Sequence, residues 1–317
     1  MLKVASIALI AVVVIATALT LWKVGQRKLE AARDFPPDGT FVNVDGHPVH
    51  YVELGTGPDL VLLHGASGNT RDFTFDLAGK LAKSYRVIIF DRPGLGHTPP
   101  LKRSGVTILD QADLLSKAAQ QLGAQTPIVA GQSFGGAVAM AWAVNHPDRI
   151  SAVVSMAGAT YPWEGELDAF NARLAHSIKG PIIARLISAW ASADYVADSI
   201  EGVFAPQSAP SGYGAHIGVP MILNPHSLIA NAQQRHDLRP QVQALHSKYS
   251  KLDLPVEIVH GDADITVGLY VHSTRMVDDI KGANLVVLPG VGHMPQHVSH
   301  PEVIAAIDRA AVRAGLR

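Results

Sequence analysis

Gly131-Gln132-Ser133-Phe134-Gly135 sets a serine between two glycines, at the junction of an apolar run and a helix-like run. A strained strand-to-helix turn of this form pushes a serine hydroxyl out of the backbone, where it can act as a nucleophile. The pattern itself arises by chance in many chains, so its surroundings decide its meaning. Upstream, Pro127-Ile128-Val129-Ala130 reads as a short buried strand; downstream, Ala137 to Val144 is alanine-rich with apolar residues at helical spacing. Strand, turn and helix are therefore all predicted, in that order.

Outward from the turn, the chain alternates. Phe41-Val42-Asn43-Val44 and Val49-His50-Tyr51-Val52 flank Asp45-Gly46, an Asp-Gly hairpin signal, so the body opens antiparallel. Strand-like Leu60 to Leu63, Arg86 to Phe90, Ala152 to Met156, Val256 to His260 and Leu285 to Leu288 then interleave with helix-like Asp72 to Lys83, Ile108 to Leu122, Gly268 to Ile280 and Pro301 to Val312. Such alternation implies βαβ units and a mainly parallel sheet. Tyr161 to Leu252 breaks the rhythm: helix-like pieces at Leu167 to Ile178, Ile182 to Ala193 and Val196 to Val203 precede a Pro/Gly/Ser-rich piece from Ala205 to Pro225. This stretch reads as a lid over the carboxyl edge of the sheet, where open α/β folds bind ligands.

The chain has 317 residues, 48% hydrophobic and 17% charged, enough for one large core. A formal net charge of -1 provides no basic excess for nucleic acid, and the absence of cysteine excludes disulfides, thiolate metal sites and a cysteine nucleophile. No phosphate-binding glycine signature is present. Val4 through Trp22 carries no charge; as a helix it would span roughly 28 Å, close to the ~30 Å of a bilayer core. A membrane anchor is the leading reading, because the apolar run continues past Ala16-Thr17-Ala18, the site that a cleaved signal peptide would offer. Cleavage there would instead give a secreted or periplasmic protein. Lys23, Arg27, Lys28 and Arg33 on the far flank favour a cytoplasmic body.

A serine needs a base to take its proton and, usually, an acid to orient that base. Among 15 histidines, His293 stands out in the glycine-flanked loop Gly290-Val291-Gly292-His293, directly after the last predicted strand. Taken alone it would read as a solvent-exposed loop residue. For the acid, Asp262 and Asp264 both follow the Val256 to His260 strand, between serine and histidine in chain order. Ser, then Asp, then His is the order expected of a G-x-S-x-G turn in a parallel sheet. Two backbone donors suit a developing oxyanion: the N–H of Phe134, opening the helix, and that of Ala66 in His64-Gly65-Ala66-Ser67-Gly68.

With these residues in place the sequence resembles the α/β-hydrolase superfamily from about Phe41 to Val312. The marks are His64-Gly65, Asp91-Arg92-Pro93-Gly94-Leu95-Gly96-His97, the Gly131 to Gly136 turn, Gly261-x-x-Asp264 and Gly292-His293. Among its members the chain is most similar to lidded serine esterases, cofactor-free haloperoxidases and C–C bond hydrolases. The resemblance implies a mostly parallel eight-stranded sheet flanked by helices, with a helical cap. It selects Asp264 over Asp262 and makes Asp91 a structural residue. Ser133 argues against the aspartate-nucleophile branches of the superfamily.

The expected organisation is a transmembrane anchor or uncleaved signal over 1–25, a linker over 26–38, core over 39–160, cap over 161–252 and core again over 253–317. The expected activity is a serine hydrolase acting on a small ester or related acyl bond, with Ser133 as nucleophile, His293 as base, Asp264 orienting it, and no metal or organic cofactor. An apolar lid (Ile182, Ile183, Leu186, Ile187, Trp190) beside a membrane points to an apolar, lipid-like substrate. The rivals are C–C bond hydrolysis or perhydrolysis on the same triad, and a non-catalytic binding protein on a hydrolase fold.

Overall fold

The computed structural model describes residues 2–102, 105–165 and 169–317. Eight strands form one sheet: β1 (Thr40–Val44), β2 (His47–Leu54), β3 (Asp59–Leu63), β4 (Arg86–Phe90), β5 (Ile128–Gln132), β6 (Ala152–Met156), β7 (Val256–Gly261) and β8 (Asn284–Leu288). Their order is β1-β2-β4-β3-β5-β6-β7-β8; β1 and β2 pair antiparallel, as do β2 and β4, and every other neighbour is parallel. This is the eight-stranded, mostly parallel sheet that the resemblance implied. Because β3, β4 and β5 are not laid down in chain order, the strand ends beside β5 open a crevice at the carboxyl edge.

Helices cover both faces. In chain order they are α1 (Leu2–Asp34), α2 (Arg71–Thr74), α3 (Leu77–Leu81), α4 (Ile108–Gln121), α5 (Phe134–Asn145), α6 (Ala169–Ala175), α7 (Lys179–Trp190) and α8 (Ala193–Phe204). They continue with α9 (Tyr213–His216), α10 (Val219–Ile222), α11 (Pro225–Leu245), α12 (Leu269–Asp279), α13 (Pro295–Val298) and α14 (His300–Arg313). The central strands β3 to β7 are largely apolar because both sheet faces are buried there, whereas the edge strands β1 and β8 are partly exposed. Val61 and Leu63 of β3 join Ile88, Val129 and Val153 against α4, α5 and α12, whereas Leu60 and Leu62 join Val87, Ile89 and Ile128 against α3 and α14. Each fully buried leucine in these layers contributes about 1.5–3 kcal/mol of transfer free energy.

Local signals set the helix ends. The Thr107 side chain accepts from the Asp110 N–H at 3.0 Å, and the Asp110 carboxylate accepts from the Thr107 N–H at 3.0 Å, a reciprocal capping box that starts α4. The same helix ends at Gly123, in the left-handed region at φ 86°, with Ala124 N–H returning to the Ala119 carbonyl.

Two elements differ from the sequence reading. The stretch 26–34, assigned to the linker, is helical: α1 continues through it because Gln26 to Arg33 contains no breaker, and stops just before Pro36 and Pro37. Its later turns bury Val24 and Ala31, and the helix packs on α7 and α10. Trp190 Nε1 donates to Thr20 Oγ1 at 3.1 Å, and Lys23 Nζ lies 4.0 Å from the Trp190 ring centre. The second difference lies between β6 and β7, where α6 to α11 follow one another. The Pro/Gly/Ser-rich piece from Ala205 to Pro225, for which no helix was predicted, holds the short helices α9 and α10, each preceded by a left-handed glycine, Gly212 or Gly218. Of the predicted helix from Leu167, the first two residues lie outside the described residues.

Thr107→Ala should lower the unfolding free energy by about 1 kcal/mol, read from urea denaturation of the purified protein, because the Asp110 N–H then loses its partner.

Candidate active site

The end of β5 delivers Ser133 in a conformation few L-residues adopt, φ 53° and ψ −117°, immediately before α5 begins. Three backbone hydrogen bonds hold it there: its N–H donates to the Met156 carbonyl, and its own carbonyl accepts from Gly136 and Ala159, each at 3.0 Å. The turn is only this tight because its flanking positions lack side chains. A β-carbon at Gly131 would run into the Gly135 carbonyl, and one at Gly135 into the Leu63 carbonyl of β3.

The structure brings together the three residues that the sequence singled out. Ser133 Oγ lies 2.9 Å from His293 Nε2, and His293 Nδ1 lies 2.7 Å from Asp264 Oδ2. All three are buried, at the carboxyl ends of β5, β7 and β8. Asp264 is ionised, so His293 Nδ1 carries the hydrogen and Nε2 is left as an acceptor facing the serine hydroxyl. Burial alone would raise the Asp264 pKa, but hydrogen bonds from His260, His293 and the Val267 N–H outweigh it and hold the carboxyl well below its ordinary range. Asp262, the other acidic candidate, turns away: its carboxylate accepts from the Gly290 N–H at 2.6 Å.

Phe134 is the first residue of α5, where the N–H has no intrahelical acceptor and the helix dipole favours negative charge. Ala66 sits on the loop after β3, and a β-carbon at Gly65 would meet the Gln132 side chain and the Ser133 Cβ. The loop bearing Ala66 is therefore pressed against the serine turn.

That loop is fixed by residues to which the sequence reading gave no role. The fully buried Arg92 donates from Nε to the His64 carbonyl and from Nη2 to the Gly65 carbonyl, both at 2.8 Å. Nη1 donates to Gln111 Oε1 at 3.0 Å and to Gln234 Oε1 of α11 at 2.7 Å, and the guanidinium lies 4.4 Å from the Phe134 ring centre. Burial lowers its pKa to about 9, Asp91 opposing the shift. His64 is pushed down to about 4 by burial and then by Arg92, so it is neutral; Nδ1 donates to Gly65 O at 2.9 Å and Nε2 accepts from the Arg92 N–H at 3.0 Å. Gln132 donates to the His293 carbonyl at 3.1 Å and so links the serine turn to the histidine loop. Arg92 stands inside the D-R-P-G segment, which was the available signal; for Gln132 and Gln234 no sequence signal existed.

Asp91 lies apart from the triad. It accepts from His50 Nδ1 and the Thr70 N–H at 2.7 Å and from the His97 N–H at 2.8 Å. Asp72 ties the cap to the core, accepting from Tyr213 OH at 2.7 Å and His297 Nε2 at 2.9 Å. Among the described residues no group of three or more His, Asp or Glu side chains is placed to hold a metal ion.

A family model described as the alpha/beta hydrolase fold matches residues 58–299. The chain belongs to the α/β-hydrolase family. Among characterised relatives it is 30% identical over 290 residues to the pimeloyl-[acyl-carrier protein] methyl ester esterase of Neisseria meningitidis serogroup B, covering 82% of this chain and 96% of that one. A shorter match, 35% over 114 residues, is to the dihydrolipoyllysine-residue acetyltransferase component of the acetoin cleaving system of Cupriavidus necator; it covers 36% of this chain and 30% of that protein. Among solved structures, a bacterial membrane phospholipase A superposes with a TM-score of 0.69 at 20% identity, covering 97% of this chain and 99% of that one. The chain is thus a hydrolase with esterase relatives.

Gly135→Ala should cost about 3 kcal/mol or more, measured by denaturant unfolding, because the new methyl has only the β3 backbone to displace.

Proposed function

We propose that this protein is a serine esterase that forms an acyl-enzyme on Ser133. The observation that carries the reading is the unbroken hydrogen-bonded line from Ser133 Oγ through His293 to Asp264, at 2.9 and 2.7 Å. In this reading Ser133 Oγ attacks the ester carbonyl carbon while His293 Nε2 takes its proton. The carbonyl oxygen becomes an oxyanion held by the Phe134 and Ala66 N–H groups, donors of a kind whose individual loss costs about 3 kcal/mol in barrier. Collapse expels the alcohol, which leaves with the proton from His293. Water then attacks the acyl carbon, gives its proton to His293, and releases the acid as that proton returns to Ser133. Asp264 orients the imidazole and stabilises its charged form without itself becoming protonated.

The substrate we infer is an apolar ester presented at a membrane. Support comes from α1, whose apolar side chains between Val4 and Trp22 are exposed, and from the hydrogen bond that its Thr20 accepts from Trp190 at the end of cap helix α7. Ile182, Leu186 and Trp190 of that helix are exposed as well. A signal sequence would show the same apolar run; the bond to the cap is made by Thr20, near the end of that run.

A fluorophosphonate probe should label the wild-type protein and leave Ser133→Ala unlabelled; a wild type that stays unlabelled beside a reacting control hydrolase defeats the esterase reading. His293→Ala should lose about 10³-fold or more in kcat/KM on a p-nitrophenyl ester, and Asp264→Asn a comparable amount. On vesicle-borne long-chain esters the full chain should outperform a version lacking residues 1–22, with equal rates on short soluble esters; equal rates on both would remove the membrane part of the proposal.

A further inference from the structure

The Asp264 carboxylate receives two hydrogen bonds on each oxygen. Oδ1 accepts from the Thr266 N–H at 2.8 Å and the Val267 N–H at 2.9 Å; Oδ2 faces His293 Nδ1 at 2.7 Å and a second imidazole, His260 Nε2, at 3.1 Å. A carboxylate has about four acceptor positions, so all of them are used. His260 is the penultimate residue of β7 and is wholly buried.

The tautomer of His260 follows from its partners. Nε2 faces only acceptors, Asp264 Oδ2 and the Val267 carbonyl at 2.8 Å, and therefore carries a hydrogen whether the ring is neutral or charged. Nδ1 faces Ser273 Oγ at 2.6 Å, a hydroxyl that donates to the neutral ring and accepts from the charged one. His260 is thus a permanent donor, its one hydrogen divided between the Val267 carbonyl at 2.8 Å and, at 3.1 Å, the same oxygen that receives the His293 N–H.

We propose that His260 is a positioning residue of the triad, whose Nε2–H shares Asp264 Oδ2 with His293 and thereby keeps His293 in its proton-accepting form to lower pH. The proposal rests on the assignment of Ser133, His293 and Asp264 made above. A donor on Oδ2 draws electron density from the oxygen and weakens its pull on the His293 imidazolium. Without that donor the imidazolium is better stabilised, and more acid-sensitive turnover results. A charged His260 would act in the same direction by repulsion. Among the described residues, His272 on α12 is the further titratable group that interacts with His260, Asp264 and His293; burial, then the proximity of His260, lowers its pKa to about 4, so its charge does not change across the neutral range. His272 Nδ1 accepts from the Tyr161 N–H at 3.0 Å.

The test compares His260→Met, which removes the donor, with His260→Gln, whose amide N–H₂ reaches the place of Nε2. Both are made in the full chain in detergent. The expected result is that the acid limb of the kcat/KM profile for a p-nitrophenyl ester moves to higher pH in His260→Met, by about half a unit or more, and stays near the wild-type position in His260→Gln. The protonation midpoint of His293, followed by its imidazole NMR signals, should shift alike without any need for turnover. A limb and midpoint unmoved in a folded His260→Met, or moved equally in both variants, overturn the proposal and leave His260 a packing residue. Should His260→Met not fold, ¹⁵N-histidine spectra of the wild type decide instead: an Nε2–H tautomer for His260 supports the proposal and an Nδ1–H tautomer overturns it. A wild type unreactive to fluorophosphonate defeats the esterase reading instead, and the His293 midpoint still reports on His260.

Discussion

Ser133 occupies a backbone region that costs an L-residue about 1–3 kcal/mol, and the surroundings must over-determine it for the cost to be borne. They do so from three directions. β6 takes its N–H, α5 and the loop after β6 give N–H groups to its carbonyl, and β3 closes against Gly135. The sheet order places β5 between β3 and β6, so one strand end carries the serine while its neighbours carry the loop with Ala66 and the support at Ala159. Glycine at 131 and 135 is therefore a packing requirement of the whole sheet edge rather than a local preference for a turn.

Much of the sheet could be read directly from the chain because its strands are short apolar runs separated by helix-period segments, and both faces of the sheet are covered. Ser133, Asp264 and His293 were legible for a related reason: each follows a predicted strand, and strand ends converge in space even when far apart in sequence. In the cap, α6 to α8 fall where helix-like pieces were predicted, whereas the part from α9 to α11 resisted such reading. α11 carries polar residues on nearly every side, including Asn231 and Gln234, whose partners are the Ser67 N–H and Arg92 of the core. Helices that bury polar groups against polar partners leave no apolar stripe to detect. Charge over residues 26–34 masks their helical state, because the apolar contacts there are few: Val24 and Ala31 are buried, Arg27 between them is half-buried, and Lys28 and Glu30 are exposed.

Arg92 shows how a buried cation can be kept without a direct ion pair. Its hydrogen-bond acceptors are all neutral: two backbone carbonyls and two glutamine oxygens, with an aromatic face stacked beside the guanidinium. The planar fork matches that set, which a lysine ammonium would not reach in one geometry. Loop, core helix α4 and cap helix α11 consequently meet at one side chain, and the neutral His64 completes the shell. Position in the D-R-P-G segment thus coincides with a structural junction.

The first helix divides its duties along its length without a break in its hydrogen bonding. Up to Trp22 it presents apolar side chains outward; from Val24 to Asp34 it forms part of the wall of the cap, and Phe35 just beyond its end lies beside Gly218. Proteolytic maturation after Ala18 would take away most of the outward-facing half and leave Thr20, Lys23, Val24 and Ala31 in place. The cap would keep the same wall whichever fate the leader meets, so retention in a bilayer and release from it are compatible with one and the same folded enzyme body.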